Sequence, residues 1–97
     1  MTVFAVEYVY DAESAEVRDA HRPAHRAWLA ELAEAGTLLA SGPYGDGAGA
    51  LLLVAAADES ELNDTLKADP FAAVQGIAGI RTTEWNPIIG LLSAYAS

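Results

Sequence analysis

From Thr2 to Tyr10 the chain places Phe4, Val6, Tyr8 and Tyr10 on one side and Val3, Ala5, Glu7 and Val9 on the other, the two-residue period of a strand. Both sides are mostly apolar, and Glu7 is the exception. From Asp11 to Gly36 the period lengthens to that of a helix. Pro23 divides this stretch, because proline removes a backbone donor inside a helix but suits a first turn. The pattern therefore predicts two helical pieces, the main one running from about Pro23 to Ala35. His25, Trp28, Leu29 and Leu32 fall at i, i+3, i+4 and i+7 and form its apolar stripe, and Gly36 supplies a stop.

A second strand is expected over Thr37–Tyr44 and a third over Ala48–Ala57, joined by a Gly45-Asp46-Gly47 turn. Asp58-Glu59-Ser60-Glu61 has the form of a helix start, and Leu62 and Leu66 give the second helix its apolar side. Asp69-Pro70-Phe71 opens a further short turn. A fourth strand follows from about Ile77 to Trp85 and is ended by Pro87, leaving an apolar tail over 88–97. The order β-α-β-β-α-β predicts an α+β fold of the ferredoxin-like type, one four-stranded antiparallel sheet with its helices on one face. Without a repeat or a linker, residues 1–97 form a single domain. The uncovered face would leave apolar side chains in water, so a second copy packed sheet to sheet is expected, as a homodimer or a higher homo-oligomer.

Composition sharpens this picture. Hydrophobic residues make up 53% of the 97 residues, a high share for a domain that holds one modest core. The net charge of -9 sets an acidic surface against phosphate backbones and anionic headgroups, so neither nucleic acid nor a membrane is expected as a partner. Three of the five basic residues, Arg18, Arg22 and Arg26, lie within nine positions. The absence of cysteine excludes disulfides and thiolate chemistry. No leader pattern and no run long enough to cross a membrane is seen, which makes the cytoplasm the expected location.

Candidate chemistry begins with the two histidines. His21 and His25 are four apart, but a helix start at Pro23 puts His21 out of register, and no third metal ligand is evident. His25 lies on the apolar stripe, where burial and the nearby helix start favour a neutral ring, a competent general base. The same position suits a core histidine satisfied by one hydrogen bond. Asp69 before Pro70 suits a helix cap, and equally suits a carboxylate that orients His25. Ser41 and Gly42, ahead of Pro43, could shape a pocket, with Ser41 as a donor. Tyr8, mid-strand, could face that pocket, and Arg22 could clamp a carboxylate substrate, unless it is simply a solvated surface residue. Gly45, Gly47 and Gly49 join two strands rather than opening a helix, so a phosphate loop is rejected in favour of a hairpin.

Taken together, Arg22-Pro23-Ala24-His25-Arg26-Ala27-Trp28-Leu29, Leu39-Ala40-Ser41-Gly42-Pro43, Ala68-Asp69-Pro70-Phe71 and Glu84-Trp85-Asn86-Pro87 resemble the YCII-related (YciI-like) family over nearly the whole chain. The resemblance implies the fold of the dimeric α/β barrel proteins and an active site that pairs His25 with Asp69, with Ser41 near it. One relative is similar to a dehydrochlorinase of a chlorinated hydroxyquinol, and the wider fold family includes muconolactone isomerases. The implied function is cofactor-free lyase or isomerase chemistry on a small ring-derived metabolite, by a His–Asp dyad. The alternative is a non-catalytic small-molecule-binding or accessory dimeric module.

Overall fold

The computed structural model describes residues 1–97. Strand β1 spans Thr2–Val9, helix α1 Ala15–Glu34, strands β2 and β3 Leu38–Pro43 and Gly49–Ala56, helix α2 Glu59–Lys67, the short helix α3 Pro70–Ala73, and strand β4 Gly79–Glu84. A single 3₁₀ turn, Ser93–Tyr95, follows. The strands form one antiparallel sheet in the order β2-β3-β1-β4. That is the ferredoxin-like arrangement, with β1 and β3 central and β2 and β4 at the edges.

The core follows from register. Phe4, Val6 and Tyr8 on β1 stand opposite Val54, Leu52 and Ala50 on β3, so all six point to one face. Leu62 and Leu66 of α2 pack on that face, with Trp28, Leu29 and Leu32 of α1 beside them. Burying one such large apolar side chain contributes about 1.5–3 kcal/mol, and this cluster supplies the main driving force for docking both helices.

The most consequential departure from the sequence pattern is α1. It is one continuous helix from Ala15, with Pro23 inside it, not two pieces. The proline leaves the Asp19 carbonyl without its helical donor, but Asp19 and Pro23 are both exposed, so water can satisfy that group. The flanking turns are held independently. Arg18 is buried, donates to the Gly76 and Asp11 carbonyls at 3.0 and 2.8 Å, and lies 4.4 Å from the Tyr10 ring centroid. His25 therefore sits in mid-helix and not in a first turn, and the electrostatic influence expected from a helix end does not reach it. Gly36, at φ 81°, ends α1 as the pattern requires.

The face turned away from the helices is less bare than the pattern implies. Val3, Leu53 and Ala55 point to it yet are buried. The Tyr44 hydroxyl donates to Glu7 Oε1 at 3.0 Å, so this ring crosses β3 from the β2 side to reach β1. The apolar excess lies instead in the tail, where Ile89 and Leu91 are 93% and 103% exposed. Asn86 and Ser97 exchange two hydrogen bonds and close that tail into a loop.

Gly49 shows why the β2–β3 hairpin is glycine-rich. A Cβ there would lie 2.0 Å from the Tyr8 carbonyl oxygen, whereas one at Gly45 would meet nothing within 4 Å. Gly49→Ala should therefore cost more than about 3 kcal/mol, since backbone must move to admit it. Gly45→Ala should stay within about 0.5 kcal/mol of the parent. Urea unfolding of the two variants checks the contrast.

Candidate active site

The site is built around Asp69. The residue ends the α2–α3 connection with extended backbone, and Pro70 takes the first helical position of α3, where its missing N–H costs nothing. Its side chain is wholly buried. Oδ1 accepts from the backbone N–H of Phe71 at 2.9 Å, the helix cap that the sequence suggests. The same oxygen accepts from His25 Nδ1 at 2.7 Å, and Oδ2 accepts from the Tyr8 hydroxyl at 2.7 Å. Capping and orienting His25, posed as alternatives by the sequence, coexist on one carboxylate.

The donors fix the imidazole. A carboxylate only accepts, so the His25 proton facing it lies on Nδ1. The ring is also stacked on Phe71, with centroids 3.8 Å apart and planes 4° from parallel. Nε2 has no protein partner, and no buried side-chain nitrogen or oxygen in the chain lacks one, so Nε2 reaches accessible surface. His25 lines a cleft of about 500 Å³.

The cleft lies between α1 and β2. Its α1 wall comprises Arg22, His25, Arg26, Leu29, Ala30 and Ala33. Its other wall is the run from Leu38 to Pro43, six consecutive residues. Side chains of a strand alternate between faces, so a cavity lined by consecutive residues opens along the strand's free edge. Strand β2 is an edge strand, so one side of its backbone has no partner strand.

Burial pushes the Tyr8 hydroxyl far above the ordinary tyrosine range, and the adjacent Asp69 charge and the hydrogen bond to it push the same way. Tyr10, which lines the cleft, is also raised by burial and by Asp69, with Arg18 and Arg22 opposing. Tyr8 is thus a lasting donor to Asp69.

Of the residues nominated from sequence, His25, Ser41, Gly42 and Arg22 line the cleft. Asp69 stands behind His25. Tyr8 does not line the cleft: its side chain is 1% exposed and is spent on Asp69, so the expected substrate contact is corrected to a support within the core. Arg22 is bonded to Asp19 at 2.5 Å. His21 is in register with His25 on the unbroken helix, contrary to expectation, but its Nδ1 lies 2.9 Å from the Val17 carbonyl. No group of three metal-ligating side chains gathers in the chain. Among the lining residues that sequence reasoning did not nominate are Arg26 and Phe71. Arg26, Leu29 and Ala33 already share a stripe within the expected Pro23–Ala35 helix, and the unbroken α1 adds Arg22 to it.

A family model described as YCII-related domain matches residues 3–86. None of the curated proteins matches the sequence. Among solved structures, the chain is similar to 5-chloro-2-hydroxyhydroquinone dehydrochlorinase from Burkholderia phenoliruptrix AC1100, in complex with 2,5-dihydroxybenzoquinone, with a TM-score of 0.75 and 24% identity. The likeness covers 87% of this chain and 93% of that one.

Tyr8→Phe removes a donor from a buried carboxylate oxygen and should cost about 1–3 kcal/mol at neutral pH. Its second signature is alkaline. Above about pH 10 an unfolded tyrosine ionises whereas folded Tyr8 keeps its proton, so the folded state binds more protons and stability falls as pH rises. Urea unfolding from pH 7 to 11 should show that decline in the parent and a flatter one in the variant.

Proposed function

The chain belongs to the YCII-related family, and on that footing we propose that it is a cofactor-free acid/base enzyme of lyase or isomerase type, acting on a small ring-derived metabolite. The observation that carries this reading is the His25–Asp69 hydrogen bond behind an open cleft that His25 lines, with Nε2 left without a protein partner.

In the proposed reaction neutral His25 removes a proton from a carbon beside a carbonyl or hydroxyl-bearing carbon through Nε2. The electrons of that C–H bond form a carbon–carbon double bond, and the carbonyl electrons move to its oxygen. The Ser41 hydroxyl, or a free N–H on the β2 edge, holds that oxyanion. Asp69 stabilises the imidazolium through Nδ1–H and fixes its plane, without itself taking the proton. Two completions balance. Nε2–H returns the proton to another carbon, giving an isomer. Alternatively, the oxyanion re-forms its carbonyl, the carbon–carbon pair shifts to make a new double bond to the neighbouring carbon, chloride leaves that carbon with its bonding electrons, and the proton passes to water. The similarity to the dehydrochlorinase favours testing elimination first. The proposed homodimer would draw on the exposed tail residues Ile88, Ile89 and Leu91 as well as on the sheet.

The test is a turnover screen of halogenated hydroxyquinols, read by chloride release, and of unsaturated ring lactones, read by NMR in D₂O. The parent should convert at least one compound or exchange its acidic C–H. His25→Gln should lower that rate at least about 100-fold, and Asp69→Asn by a comparable factor, while both variants remain folded by circular dichroism. Turnover unchanged in His25→Gln would overturn the reading. Binding without exchange or turnover would favour the non-catalytic binding module.

A further inference from the structure

The charges of this protein are unevenly spent. Fourteen acidic residues face five basic ones, yet no acidic side chain lines the cleft. Asp69, behind it, is closed off by His25, Tyr8 and Phe71. Two of the five cations, Arg22 and Arg26, do line it. The others are placed elsewhere: Arg18 is locked on the Gly76 and Asp11 carbonyls, and Lys67 and Arg81 lie outside the lining.

Arg22 and Arg26 differ in one respect that decides between them. Arg22 carries a carboxylate already, that of Asp19, at 2.5 Å. Arg26 has neither an ion pair nor a side-chain hydrogen bond in a chain with almost three carboxylates for each cation. It adjoins His25 in sequence and borders the same cavity, whose remaining lining is mostly apolar. A guanidinium presents two parallel N–H groups that match the two oxygens of a carboxylate. An acidic molecule approaching this surface is repelled over most of it and attracted where Arg22 and Arg26 stand.

We propose that the cleft takes a small carboxylate with an apolar body, and that Arg26 receives the carboxylate. This rests on the reading of the cleft as the substrate site and adds the charge and class of what enters. Arg22, half satisfied by Asp19, contributes field rather than the direct contact. The sequence-based assignment of the anion clamp to Arg22 thus moves one helical turn along α1.

The probes are benzoate and its neutral isostere benzamide, titrated calorimetrically into the full chain at low ionic strength. The parent should bind benzoate at least about tenfold more tightly than benzamide, and added salt should narrow that gap. Arg26→Gln, which keeps the stem and loses the charge, should reduce the preference to within about twofold, while Arg26→Lys should keep part of it. Lys67→Gln, outside the cleft, should retain the preference, and because the readout is binding alone the test is separate from the catalytic one. Equal binding of the two probes by the parent, a preference that survives Arg26→Gln, or no saturable binding of benzoate would each overturn it. Turnover of ring substrates irrespective of a carboxylate would also overturn it, and would leave the acid/base reading intact.

Discussion

The structure turns on one buried carboxylate. Moving an ionised side chain out of water costs far more than a domain of this size can spare unless every lone pair facing protein is answered. Asp69 is answered from three elements at once: Tyr8 of β1, His25 of α1 and the main chain of α3. No other side-chain hydrogen bonds in the molecule join the sheet, the long helix and the short helix in one place. The arrangement is therefore both a staple and a gauge. It sets the distance between α1 and the sheet, and it sets the rotation of the imidazole that borders the cleft.

A second layer keeps that gauge from drifting. Phe71 supplies the capping N–H and, through its ring, the surface on which His25 lies flat. Arg18 ties the start of α1 to the turn that follows α3, by way of the Gly76 carbonyl, and roofs the Tyr10 ring. That turn contains Gln75 at φ 58°, a left-handed conformation that costs a side-chain-bearing residue about 1–2 kcal/mol. The Gly76 N–H bonds to the Phe71 carbonyl at 2.8 Å and closes the turn directly against the residue that supports His25.

Much of this architecture is legible in the sequence, because the signals are local. Alternation gives β1, the glycine turn gives the hairpin, and the Asp-Pro pair gives α3 with its cap. The break assigned at Pro23 is wrong for an instructive reason. Proline's cost in a helix depends on which face it occupies, and exposure of Pro23 and Asp19 is a tertiary fact. The same error hid the stripe that carries Arg22 and Arg26 together along the cleft. The role of Tyr8 is illegible for a different reason: strand alternation tells that its hydroxyl points inward, but not that a carboxylate sixty-one residues later waits there. His25 and Asp69 are nominated by residue type and by family resemblance. That they meet is knowledge only of the folded chain.

The free edge of β2 has a consequence for how this cleft can change over time. One wall is made of side chains on α1, and any of these can be exchanged by a single substitution. The other wall is an edge strand, and its amides and carbonyls are the same whatever residues stand from Leu38 to Pro43, apart from the missing amide of the proline. A lineage can therefore rewrite the shape and charge of the helical wall while the hydrogen-bonding ledge opposite persists. On such a scaffold, residues such as Arg26 and Leu29 can be exchanged while the hydrogen bonds that hold His25 against Asp69 stay as they are.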